Sequence, residues 1–81
     1  MSDPEHKTIR GIVIPTDWQE NGHPRSLAIA TYREQKYLVA EGPKCHQLMS
    51  LLNERVVVSG MVHQVEKNMV IDVGDFYLDL A

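Results

Sequence analysis

The sequence predicts a single all-β domain with one helix, its elements in the order β-β-β-α-β-β. Two patterns carry that reading. Short runs rich in β-branched residues alternate with turn chemistry along most of the chain, and the hydrophobic period changes to that of a helix only once, between Gly42 and Asn53. Size supplies the third observation: a chain of 81 residues has room for one core and no second domain.

Taken in order, residues 1–6 are polar, carry Pro4 and show no periodicity, so they read as a flexible lead to a domain covering 7–81. The first strand is expected at 7–15. Gly11 marks a bulge or bend within it, and Pro15, which removes a ladder donor, marks its end. Asn21-Gly22 suits the positive φ angles of a tight reversal. The second and third strands, at 25–33 and 36–41, lie too close in sequence for anything but a second hairpin. With a two-residue turn at Glu34-Gln35, Tyr32 pairs with Tyr37, Thr31 with Leu38 and Ile29 with Ala40. Paired residues share a face, so Leu27, Ile29 and Leu38 point inward and Tyr32, Tyr37 and Val39 outward. Glu-Gln is poor chemistry for such a turn, and an error in register would exchange the two faces.

Cys45, Leu48, Met49 and Leu52 recur at i, i+3, i+4 and i+7, giving one apolar stripe on a helix at 44–53, with Pro43 suited to its first turn. Strands four and five are expected at 55–65 and 68–79. The expected core contains Val13, Ile29, Leu38, Leu48, Leu52, Val58, Val62 and Ile71.

Val56-Val57-Val58-Ser59-Gly60-Met61-Val62 is similar to the Val-x-Val-x-Gly-x-Val fourth strand of many oligonucleotide/oligosaccharide-binding (OB) barrels. Ile71-Asp72-Val73 followed by an aromatic segment is similar to their closing strand. Together with the element order, the chain resembles the OB fold over nearly all of residues 7–80. The resemblance implies a five-stranded barrel plugged at one end by the helix. It also implies a binding face on the outside of strands two and three, flanked by the loops between strands one and two and between four and five. That face would hold Trp18, His23 and Arg25 from the first loop, Tyr32 and Tyr37 as a cross-strand pair, Lys36 at the next turn and Lys67 from the last loop. Trp18, Arg25, Tyr32, Lys36 and Tyr37 are the candidate ligand-binding residues: bases stack on aromatic rings while cations follow the phosphates. The structural alternative is a tyrosine pair that stabilises its hairpin, with Trp18 covering an open barrel end.

The formal charge of −3 argues mildly against phosphate binding, yet it is unevenly spread. Residues 23–46 hold Arg25, Arg33, Lys36 and Lys44 against Glu34 and Glu41, whereas residues 66–81 hold Glu66, Asp72, Asp75 and Asp79 against Lys67 alone. The chain has no Gly-rich phosphate loop, nucleophile elbow, zincin helix or Cys-x-x-Cys pair, so no enzyme and no cofactor is expected. Cys45 and His46 diverge by roughly 100° on a helix. Cys45 therefore reads as a buried packing residue, and the scattered histidines give no metal site. No apolar stretch nears the ~18 residues of a membrane span, no secretion signal opens the chain and the lone cysteine has no disulfide partner, which together point to the cytoplasm. The function expected first is a small non-enzymatic module that binds single-stranded nucleic acid or an oligonucleotide-like ligand weakly; the alternative is a protein–protein adaptor or accessory subunit anchored by Trp18, Tyr32, Tyr37, Val39 and Met61.

Overall fold

The computed structural model describes residues 5–18 and 24–80, with backbone alone for Asp17, Trp18, Pro24 and Arg25. The strands are β1 (Glu5–Trp18), β2 (Pro24–Thr31), β3 (Lys36–Val39), β4 (Arg55–Val65) and β5 (Asn68–Leu78). Between β3 and β4 lies a helix, α1 (Pro43–Leu48), continued by a 3-10 turn, Met49–Leu51. The strands close a mixed barrel in the order β1-β2-β3-β5-β4 and back to β1. Neighbours are antiparallel except β3 and β5, which run parallel from Tyr37↔Met69 to Val39↔Ile71. The expected element order and a closed five-stranded barrel are both present, an architecture compatible with an OB-like fold.

The long strand β1 is shared between two neighbours. Its first half pairs with β4, from Glu5↔Val62 to Ile12↔Arg55, and its second half with β2, from Gly11↔Thr31 to Trp18↔Pro24. The two ladders overlap at Gly11 and Ile12; a side-chain Cβ at Gly11 would run into the carbonyl of Ala30, and neither ladder shifts register there, so no bulge forms. The strand is longer than expected at both ends. Glu5 and His6, assigned from sequence to the lead, pair with Val62 and Met61.

Pro15 does not end the strand, and the alternation of backbone groups explains why. Val13 donates to the Glu54 carbonyl and accepts from the Asn53 N–H, so the odd residues of β1 aim their backbone groups toward β4. The β1–β4 ladder stops at Ile12, and the donor that Pro15 lacks would have faced where no described strand lies. The ladder to β2 continues past it to Trp18, with shifts of register between Pro15 and Asp17 and between Asp17 and Trp18. In the β4–β5 ladder the register shifts between Ser59 and Gly60. Gly60 allows close approach there, since a Cβ would run into the carbonyl of Asp72.

The register of the second hairpin differs from expectation. Ala28 pairs with Leu38, Ile29 with Tyr37 and Ala30 with Lys36. The turn spans three residues, Tyr32-Arg33-Glu34, closed by Thr31 N–H donating to the Gln35 carbonyl at 2.8 Å and Glu34 N–H to the Thr31 carbonyl at 3.2 Å. Glu34 takes φ 62, the left-handed residue that completes three-residue hairpin loops. Because side chains alternate, this register exchanges the faces of β3. Tyr37 and Val39 are buried at 6% and 8% exposure, Leu38 is half-buried on the outside, and the Tyr32–Tyr37 pair does not form.

Val13, Ile29, Leu48, Val58, Val62 and Ile71 lie in one buried apolar cluster, as expected, and Ile9, Leu27, Tyr37, Val39, Cys45, Val56 and Val73 join them. Leu52 packs against this cluster half-buried. Cys45 and Leu48 are the buried residues of α1, which ends sooner than the stripe suggested: it tightens to the 3-10 form after Leu48, and Asn53, at φ 67, donates to the Val13 carbonyl and leads into β4. Lys44 on α1 sits 5.9 Å over the ring of Phe76 on β5, which itself packs on the core.

Candidate functional site

The residues singled out from sequence fall at two ends of the barrel. Trp18 closes β1 opposite Pro24, and Arg25 follows Pro24 at the start of β2; the side chains of both, and the loop with His23, lie outside the described residues. Tyr32 and Lys36 flank the turn at the far end of β2, roughly 20 Å along an extended strand from Arg25. The β4–β5 turn with Lys67 comes to this second end as well, because Met69 lies beside Tyr37.

Where the β1–β2 ladder ends at Gly11, a cleft of about 380 Å³ opens between the strand and the β2–β3 turn. Thr8, Ile9 and Arg10 line one side, Thr31, Tyr32, Arg33 and Gln35 the other, and the accessible edge of Tyr37 reaches it from the core. Tyr32 is 59% exposed. Tyr37 donates its hydroxyl hydrogen bond to Gln35 Oε1 at 3.3 Å, and Gln35 N–H donates to Thr31 Oγ1 at 3.3 Å, which ties the turn to the barrel rim. Neither Arg10 nor Arg33, both exposed, has an ion-pair partner among the described residues. Tyr32 and Tyr37 therefore do meet at one site, although as rim and floor and not as a paired platform. Arg10 and Thr8 were not singled out from sequence. Their signal was the alternation Thr8-Ile9-Arg10 just before Gly11, which puts the two polar side chains outward and Ile9 inward.

A second outer surface lies across β1, β4 and β5. Val57 is only 2% exposed yet stands outside the core cluster, between Arg10 of β1 and Tyr77 of β5 in adjacent ladders. Tyr77 and Met61 remain exposed on this surface, beside Asp72 and Asp75.

Cys45 is buried while its neighbour His46 is exposed, the separation expected of adjacent helical positions. Among the described residues no three His, Cys, Asp or Glu side chains converge. Burial pushes the Cys45 thiol above its ordinary value, and the Glu41 carboxylate adds to the effect. Its native thiol should label slowly with a water-soluble disulfide reagent and quickly in denaturant; rapid native labelling would contradict the packing of α1. Since the folded thiol holds its proton to higher pH than the unfolded one, this group makes the domain lose stability as pH rises through and above the ordinary thiol range.

No helix among the described residues is long and apolar enough to cross a membrane. Compared with protein-family models, with curated proteins and with solved structures, the chain gives no match.

Proposed function

We propose that this domain is a non-enzymatic OB-type binding module that works as an adaptor or accessory subunit in the cytoplasm, with a protein as its partner. The observation that supports this reading most is the burial of Tyr37. Of the tyrosine pair expected to stack bases, only Tyr32 stays exposed. A single ring supplies about 1–3 kcal/mol of stacking, where the expected platform offered two. The exposed Tyr32, Tyr77, Met61, Arg10 and Arg33 are of the residue types enriched in protein interfaces. The buried, proton-retaining Cys45 is a poor nucleophile, which fits a role without covalent chemistry.

Single-stranded nucleic acid is the second reading, favoured by two unpaired arginines beside Tyr32. Titration of isotope-labelled protein with short pyrimidine and mixed strands, at low and moderate salt, separates the two. The expected result is weak amide shifts around Tyr32 and Arg33 that vanish at moderate salt, because phosphate contacts lose affinity steeply with salt. Saturable binding that survives moderate salt would overturn the protein reading.

A further inference from the structure

From Glu5 to Arg10, β1 is paired with β4 alone, and no described strand covers its other edge. The alternation that excuses Pro15 also tells which groups that edge presents. Odd residues aim their backbone N–H and C=O toward β4; the even ones therefore aim theirs away from it, Thr8 into the cleft with both groups and Arg10 with its N–H, while the Arg10 carbonyl faces Tyr32 at the end of the β1–β2 ladder. The opposite wall is the β2–β3 turn, whose Arg33 stands across from Arg10, with neither in an ion pair among the described residues. The cleft thus combines main-chain donors and acceptors at strand spacing with two exposed cations and one exposed ring.

We propose that this cleft takes an extended acidic peptide segment of the partner protein as an added strand on β1. The segment exchanges main-chain hydrogen bonds with Thr8 and the Arg10 N–H, sets carboxylates against the side chains of Arg10 and Arg33, and is covered by Tyr32. Strand addition draws affinity from the main chain and selectivity from alternate side chains, so alternation of acidic and apolar residues is the matching pattern. Charge decides the sign of the partner. The proposal rests on the reading of the domain as a protein-binding module and adds to it the place, the binding mode and the partner's chemistry.

The test uses the full chain, labelled for amide spectra, and a short end-blocked peptide of alternating valine and glutamate. Its controls are the same peptide N-methylated at alternate positions, a valine–lysine version and a short pyrimidine strand. Amide shifts are expected at Thr8, Arg10 and the 32–35 turn with the glutamate peptide, and are lost on N-methylation or with lysine. The double substitution Arg10→Gln, Arg33→Gln should weaken binding about tenfold or more, as removal of steering and pairing charges does. Thr8→Pro should fold, because the N–H it removes faces away from β4, and should abolish binding. No shifts at the β1 edge, or equal binding of the N-methylated peptide, overturns strand addition and leaves the adaptor reading standing. Tighter binding of the pyrimidine strand at the same amides overturns both.

Discussion

Tyr37→Ala is expected to destabilise the domain by about 3–5 kcal/mol, the cost of deleting a buried ring, while Tyr32→Ala changes stability by no more than about 0.5 kcal/mol. The two tyrosines flank one turn, yet Tyr37 is 6% exposed inside the core cluster and Tyr32 is 59% exposed on the turn. Had the hairpin closed on Glu34-Gln35, both rings would stand on the outer face, and the two truncations would cost similar, small amounts of roughly 0.2–1 kcal/mol. Tyr37→Phe isolates the hydroxyl: losing its bond to Gln35 Oε1 should cost at most about 1.5 kcal/mol. Urea unfolding of the three variants decides the matter. Equal, small effects at Tyr32 and Tyr37 would show that the observed register is wrong.

Leu48→Ala is the second large effect, expected at about 2–5 kcal/mol. The side chain is fully buried and, with Cys45, fixes α1 to the barrel. A helix of six residues does not persist on its own, so its stability is borrowed from this contact. Small domains have roughly 5–15 kcal/mol in total, which makes the loss a large share. Denaturant midpoints measure the cost, and the Cys45 thiol gives a second readout: labelling of the native variant should quicken, since the same anchor shields it. A midpoint unchanged from the parent would mean that α1 is held elsewhere.

These outcomes bear on how much was readable in the residues. The run Arg55–Val65 came out with the boundaries expected, because β-branched residues, a curvature glycine and flanking turn residues all agree there. The helical stripe likewise placed Cys45 and Leu48 inward. The hairpin failed for a local reason: a glutamate at positive φ carries no composition signal, and one left-handed residue at Glu34 is enough to exchange the faces of β3. Pro15 misled because its cost depends on which edge its missing donor faces, and that is set by where β4 stops. The cleft was illegible for a similar reason. It arises from β1 being divided between β4 and β2, a property of chain segments far apart in sequence that no window around Thr8 or Arg10 contains.

The parallel contact between β3 and β5 has a kinetic meaning. The three hairpins, β1–β2, β2–β3 and β4–β5, can zip from their connections, but the ring shuts only when β3 meets β5 and β1 meets β4. These two seams join the early part of the chain to its last third, and each must bear the entropy of closing a long loop before its contacts reward it. Neither seam helps much without the other, because an open sheet leaves the core of the barrel wet. Acquisition of the native state is therefore a late, concerted event limited by seam formation and not by turn formation, placing this small chain among the slower, millisecond-to-second folders of non-local β topology.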